Sequence, residues 1–425
     1  MSHLSNQRNT CLYYFLAIAG SLSTAGASMT LLALSASFYT FDQDGIASSS
    51  IYVLYYLGIG VVGFAGGWIL QRFTAITLGV AGALICSGIV IYLSFLSQIP
   101  PALGLPAVFF IFLLNGIDHP NNLRFFNEVI TEKKKMTFFS VKEGATYIFG
   151  LITPALAAFI IKFWGARVCF LIDGGTYFLS CLPWLILRKM QKLAPVTIQE
   201  KPNWFIGFKL LITDRNIRTL NISRLLNNLT YVTWTTALPL LLAKVAHGDT
   251  DLFAQEQGIS TSLVSGGFIL ATLLGTWLAK QQKLMSTMVW SSTLLGFSSM
   301  VLLSLSLFKS EILYISAFLL GLGTYCFRIS GMTLGQAFTP EKMLGAVIVA
   351  GDTVVRGWSF LVSLSAIGIF TLHEALETST IELGALVIIL PAFSLISPFL
   401  IGKLARTFIA RNQNQDKQES TTTLA

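Results

Sequence analysis

Charge is what this chain has little of. Only 11% of its 425 residues are Asp, Glu, Lys or Arg, where a soluble protein of ordinary composition carries about 25%. That scarcity excludes a large soluble core, whose helices need polar outer faces. Cysteine is sparse too. Its five residues are scattered through apolar runs and none is spaced as CxxC, which argues against a zinc site or a disulfide framework. There is no G-x-x-x-x-G-K-[ST] loop for ATP and no HExxH pair for a metal. The net charge of +8 is spread in short stretches, without the basic surface or module that nucleic-acid binding requires. No cofactor, resident metal or enzymatic activity follows from the residues.

What the chain does have is apolar length. Hydrophobic residues make up 54% of it. They fall in runs long enough to cross about 30 Å of hydrocarbon. The runs place spans at residues 11–39, 46–70, 74–96, 102–123, 138–161 and 165–187, then 217–243, 259–279, 286–307, 312–334, 343–370 and 380–402. The first, Cys11 to Phe38, is too long for a signal-peptide core and reads as a transmembrane helix. The runs lack the strict alternation of a barrel, and helices satisfy their own backbone groups in lipid. The expected fold is therefore all-α and integral to the membrane, with twelve transmembrane helices. Its expected divisions are an N-terminal six-helix bundle (1–187), a polar cytoplasmic connection (188–215), a C-terminal six-helix bundle (216–402) and a polar, disordered tail (403–425).

Cations support that count. Arg72, Arg124, Lys133 to Lys135, Arg188, Lys189, Lys192, Lys201, Lys280, Lys283, Lys342, Lys403 and Arg406 all fall on one side. The opposite loops carry few cations and more acids, among them Asp42, Asp44, Asp249, Asp251 and Glu256. The positive-inside rule then puts both termini of a multi-pass membrane protein in the cytoplasm. One helix more or fewer would spoil the pattern.

Between spans two and three runs Gly66-Gly67-Trp68-Ile69-Leu70-Gln71-Arg72, and between spans eight and nine Gly275-Thr276-Trp277-Leu278-Ala279-Lys280. Here the chain resembles the major facilitator superfamily, which carries G-x-x-x-D-R in this place. Gly67 and Arg72 match that conformational motif, while Gln71 stands where the acid is expected. The stretch Ile152-Thr153-Pro154, then Gly165-Ala166-Arg167 and Ile172-Asp173-Gly174, resembles the branch of enterobactin-type siderophore exporters and macrolide-type drug exporters. The passage from Gly321 to Pro340 resembles helix ten of that branch. The resemblance implies two six-helix bundles and secondary transport by alternating access, with spans one, four, seven and ten lining the path.

Ionisable residues inside the spans are costly and mark candidate sites. Asp118 and His119 lie deep in span four, followed by Pro120, Asn121, Asn122 and Arg124. Asp118 is a candidate proton carrier, His119 a titrating or anion-binding group, and Asn122 and Arg124 candidate solute contacts. A structural network around the Pro120 kink is the competing reading. Arg328 in span ten suits anion recognition, an internal salt bridge, or snorkelling to the interface. Asp352 and Arg356 share a helical face at i,i+4 as a gating pair or an ion-coupling site. Hydroxyls in span one and hydroxyls and amides in span seven line a polar path or join helices.

The expected function is proton-coupled export of a siderophore or another polar or amphiphilic small molecule, by a monomer working among membrane lipids. Import of a nutrient or a metal–siderophore complex is the alternative. A lipid-modifying membrane enzyme, from another functional class, lacks a clustered chemical site. A channel lacks a repeated carbonyl filter or charged ring.

Overall fold

A computed structural model of the chain describes residues 2–130, 132–191, 205–279, 285–306, 311–339, 343–375 and 387–407. The helices in chain order are α1 (Ser2–Asp42), α2 (Ile46–Arg72), α3 (Ala75–Phe95), α4 (Pro101–Val129), α5 (Glu132–Trp164) and α6 (Ala166–Gln191). Then come α7 (Phe205–Thr213), α8 (Arg215–Ala246), α9 (Thr250–Ala279), α10 (Met285–Leu305), α11 (Glu311–Phe338) and α12 (Leu344–Ala375). The last, α13 (Val387–Thr407), contains a 3-10 turn at Phe393–Ile396. Among the described residues no strand occurs, and twelve helices, all but α7, are long and apolar enough to cross a membrane. Lys280, Pro340, Glu382 and the tail from 408 lie outside the described residues.

The turns follow from local chemistry. Gln43 and Gly45 adopt positive φ between α1 and α2. There Asp44 Oδ1 accepts from Ile46 N and Asp42 Oδ2 from Ala47 N. Asp249 does the same for α9, accepting from Asp251 N and Leu252 N. These loop acids thus cap helix N-termini, where free N–H groups favour a carboxylate. With that cap, α9 starts nine residues before the span expected at 259, so Glu256 is a buried helical residue and not a loop acid. Asp214 caps α8 in the same way, through Asn216 N and Ile217 N. A one-residue turn at Gly165, φ +81, joins α5 to α6. Within the polar connection the sequence reading missed α7, whose nine residues are too few to show as a periodic run.

The chain forms two compact units. One comprises residues 1–202, 235–265 and 363–370, and the other residues 203–234, 266–362 and 371–425. The first is built on an apolar core that includes Leu34, Phe38, Val90, Ile111, Ala157 and Phe170. A second cluster around Phe126, Phe138 and Trp184 extends it. In the second unit Leu220, Val289, Phe327 and Ile401 form a core. There α7 lies on α12 through Leu211, Val347 and Ala350.

Both units use one crossing. A Cβ on Gly58 of α2 would meet Phe109 O at 2.7 Å and Leu113 N at 3.0 Å in α4. On Gly267 of α9 it would meet Phe318 O and Leu322 N in α11, the latter at 2.6 Å. Glycine is required because backbone meets backbone. One constant offset in numbering carries Gly58 onto Gly267, Phe109 onto Phe318 and Leu113 onto Leu322. It also carries Gly66 onto Gly275 and Trp68 onto Trp277.

Candidate functional site

The polar residues of α4 do not act as one constellation. Asp118 and Asn122 share a face at i,i+4, and Asn122 Nδ2 donates to Asp118 Oδ2 at 2.7 Å. Lys142 of α5, largely buried, is close enough to act on Asp118 through its charge. Its Nζ also lies 3.4 Å from Glu143 Oε1. Asn121 is fully buried and donates to Ala75 O of α3 at 2.9 Å. Arg124 donates from Nη1 to Leu70 O, binding the last turn of α2. His119 is exposed. The helix runs unbroken through Pro120. Asp118 and Asn122 therefore form a hydrogen-bonded acid site, while Asn121 and Arg124 hold neighbouring helix ends.

A second acid lies between α1 and α6. Asp173 is fully buried. Thr30 Oγ1 donates to its Oδ2 at 2.5 Å, and Thr176 Oγ1 to its Oδ1 at 3.1 Å. Gly26 stands against this carboxylate with no room for a side chain. One turn along α6, the Tyr177 hydroxyl accepts from Asn115 Nδ2 at 2.8 Å. Such a carboxylate, satisfied on both oxygens, links helices and has no open position for a solute.

In the second unit Asp352 of α12 pairs with Arg224 of α8, 2.5 Å from its Nη2. The i,i+4 spacing had pointed to Arg356 as the partner. Arg356 and Arg328 act on the same carboxylate through their charge. Arg328 is exposed, with its guanidinium carbon 5.9 Å from the Tyr325 ring centroid. Sequence reasoning missed Arg224. The signal was an arginine nine residues inside a helix otherwise read only for its amides and hydroxyls.

Hydroxyls and amides of spans one and seven mostly join helices. Ser21 meets Thr146, Ser35 donates to Gln257 Oε1 at 2.8 Å, and Thr236 meets Ser363. Asn228 donates to Ser359 Oγ, and the buried Trp234 indole to Ser316 Oγ. The motif residues Gly67 and Gln71 lie within α2, the Gln71 side chain outside the described residues, and Arg72 ends that helix, exposed. Among the described residues no group of three or more His, Cys, Asp or Glu is arranged to hold a metal ion.

Comparison with known proteins gives the family. The sequence model of the Major Facilitator Superfamily matches residues 16–363. No curated protein matches the chain. Among solved structures, a POT family transporter in complex with 5-aminolevulinic acid matches with a TM-score of 0.71. The identity is 13%, over 94% of this chain and 96% of that one. The nucleoside transporter NupG matches at 0.64 with 16% identity, over 94% and 98%. A bacterial homolog to the human lysosomal transporter Spinster, inward-facing and unoccupied, matches at 0.65 with 12% identity, over 94% and 97%. At such identities the likeness is one of fold.

These matches overturn the expectation of siderophore or drug export, and with it antiport and efflux. The peptide and nucleoside carriers are of importer type, and nothing found points to the siderophore or macrolide branch. The error has a physical source. A glycine- and proline-rich helix passage reports how helices pack, which importers and exporters share. The chain is a non-enzymatic membrane transporter of small molecules. The family match runs from α1 into α12 and coincides with the twelve-span fold, and on that ground the chain belongs to the major facilitator superfamily.

Proposed function

We propose that the chain imports a small polar nutrient across a bacterial inner membrane, with a proton moving inward through Asp118. The halves that alternate are the six-helix bundles 1–187 and 216–402, joined by the 188–215 connection, with both termini cytoplasmic and the tail 403–425 beyond them. The carrier works as a monomer among lipids. One observation carries the coupling role. Among the described side chains of α4, Asp118 is the carboxylate; it keeps part of its surface open, is held by Asn122 and has Lys142 nearby. A carboxylate inside a membrane span is tolerated where it meets water or a partner, and it can take and release a proton as that access changes. Arginine cannot do so, which leaves Arg124, Arg328 and Arg356 to position groups or neutralise charge. His119 is a secondary proton site on the exposed side of the same turn. Gly67, Gln71 and Arg72 serve the rearrangement at the end of α2.

The test uses purified protein in liposomes with an imposed inward proton gradient. Labelled 5-aminolevulinic acid, a dipeptide and a nucleoside are supplied outside. Accumulation with alkalinisation of the medium is expected for at least one of them, and Asp118→Asn abolishes the proton flux. Flux that runs only outward, or import in Asp118→Asn at the wild-type rate with the same proton flux, refutes the reading.

A further inference from the structure

The short helix of the second unit lies where a membrane span begins. α7 rests on Ala346, Val347 and Ala350, which open the span of α12 (Ala346–Leu372). Gly207 sets how closely the two helices meet, since a Cβ there would run into Ala346 O. Gly207 and Leu211, at i,i+4, are the buried face of α7. The opposite side carries Lys209 and Ile212, at i,i+3, and Ile212 keeps 69% of its surface exposed. An apolar helix held at that level lies in the interfacial layer, with its free apolar side toward acyl chains.

The start of α8 continues this surface. Arg218 Nη1 donates to Ile212 O at 3.0 Å, which holds the guanidinium against the corner between the helices. Arg215, Arg218 and Ile222 share one face of α8 at i, i+3 and i+7, and all three are exposed. Along this face two cations give way to an apolar side chain over about 10 Å of helix. That is longer than a headgroup layer of about 5–7 Å, so the face runs from phosphate level to acyl level. Asp214, the acid of this corner, turns its Oδ1 onto Asn216 N and Ile217 N. Among the described residues Lys209, Arg215 and Arg218 make no ion pair. The bond to Ile212 O leaves Arg218 further N–H groups, and a guanidinium fork suits phosphate oxygens.

We propose that the α7–α8 corner binds one phospholipid with an anionic headgroup, its phosphate on Arg215, Arg218 and Lys209 and an acyl chain along Ile212 and Ile222. The cations set the sign of the headgroup. The two exposed isoleucines make the occupant a lipid and not a free phosphate. The bound lipid ties α7 to the interface and, through Gly207 and Leu211, to the start of α12. This site lies apart from the transport reading and depends neither on its direction nor on Asp118.

The test titrates the full-length protein, purified in neutral detergent, with phosphatidylglycerol and reads lipid adducts by native mass spectrometry. Phosphatidylcholine with the same acyl chains and glycerol 3-phosphate are the comparison probes. Phosphatidylglycerol should bind at least about tenfold more tightly than phosphatidylcholine, and glycerol 3-phosphate should not displace it. Arg215→Gln, Arg218→Gln and Lys209→Gln should each weaken it about fivefold, the contribution of one cation at a membrane surface. Lys209→Gln keeps the bond from Arg218 to Ile212 O, so one variant leaves the corner's geometry in place. Ile212→Ser should weaken phosphatidylglycerol binding as well. Lys189→Gln removes an exposed cation from the last turn of α6 and is the control for diffuse surface charge. It should change binding by less than about twofold. Equal affinity for the two lipids overturns the proposal, as does a loss in Lys189→Gln that matches the loss in Arg218→Gln. Displacement by glycerol 3-phosphate would make this a site for soluble phosphates and overturn it equally.

Discussion

Gly26→Ala isolates one contact that the fold depends on. The added methyl would sit well under 3.0 Å from both Asp173 Oδ1 and Thr176 Oγ1. Neither atom is the free end of a flexible chain. Asp173 is fully buried and held by Thr30 and Thr176, so moving it strains two hydrogen bonds to a carboxylate. Overpacking costs about 1–3 kcal/mol, and weakening a bond to a charged group about 1.5–3 kcal/mol. Alanine returns up to about 1 kcal/mol of helix propensity. The net expectation is a loss of about 3 kcal/mol, estimated from these ranges.

The chain carries its own reporter. Four of its five cysteines are buried and Cys11 is exposed, so a thiol-reactive dye reads unfolding above a constant background. Gly88→Ala is the control, because a Cβ there meets nothing within 4 Å. Gly26→Ala should lower the unfolding midpoint by several degrees and Gly88→Ala should leave or raise it. Asp173→Ala removes the carboxylate but leaves Thr176 Oγ1 in place, so adding Gly26→Ala to it should cost less than it does in the unchanged chain. Equal midpoints for Gly26→Ala and Gly88→Ala would show that α1 and α6 do not approach as described.

Three further outcomes follow from single contacts. Ser316→Ala leaves the buried Trp234 N–H without its acceptor, which should cost about 1–3 kcal/mol in thermal unfolding. Tyr39→Phe keeps the ring stacked on Phe253 at 4.2 Å but removes the bonds to Gly248 N and Ala243 O. It should cost about 1–2 kcal/mol, against about 3–5 kcal/mol for Tyr39→Ala. Gly58→Ala and Gly267→Ala each press a methyl on a neighbouring backbone. Folded yield, measured by size-exclusion profile, should fall for both, whereas one tolerated and the other not would break the equivalence of the two crossings.

The number of membrane spans was legible because span length is a property of the linear chain. Twelve runs became twelve spanning helices. What escaped the sequence was pairing between distant elements. Asp352 and Arg356 advertise each other by spacing, yet the shortest bond goes to Arg224 in α8, far away in the chain. Asn121 and Arg124 looked like companions of Asp118 because they are neighbours in sequence. Helical rotation turns them onto carbonyls of α3 and α2 instead. Loop acids counted for topology proved to be caps, since their bonds are made within two to five residues and leave no periodic trace. Direction of transport has no such signature at all, because the same helices open to either side.

The repeat relates a few positions of the two halves without giving them the same chemistry. The offset that carries Gly58 onto Gly267 also carries His119 onto Arg328 and Glu143 onto Asp352. Asp118 and Lys142, by contrast, fall onto Phe327 and Gly351, so the acid site of span four has no ionisable counterpart in span ten. The first set has a partly open carboxylate, Asp118, with a histidine beside it. The second has arginines around one acid. A carboxylate can change charge within the working pH range and a guanidinium cannot. On the proposed reading, the proton is carried in the first half, through Asp118. An inward-moving anion and an inward-moving proton together transfer no net charge, so uptake of a monovalent acid should respond to the pH gradient and not to the membrane potential. Uptake that follows an imposed potential at equal pH on both sides would refute one-to-one coupling to a proton.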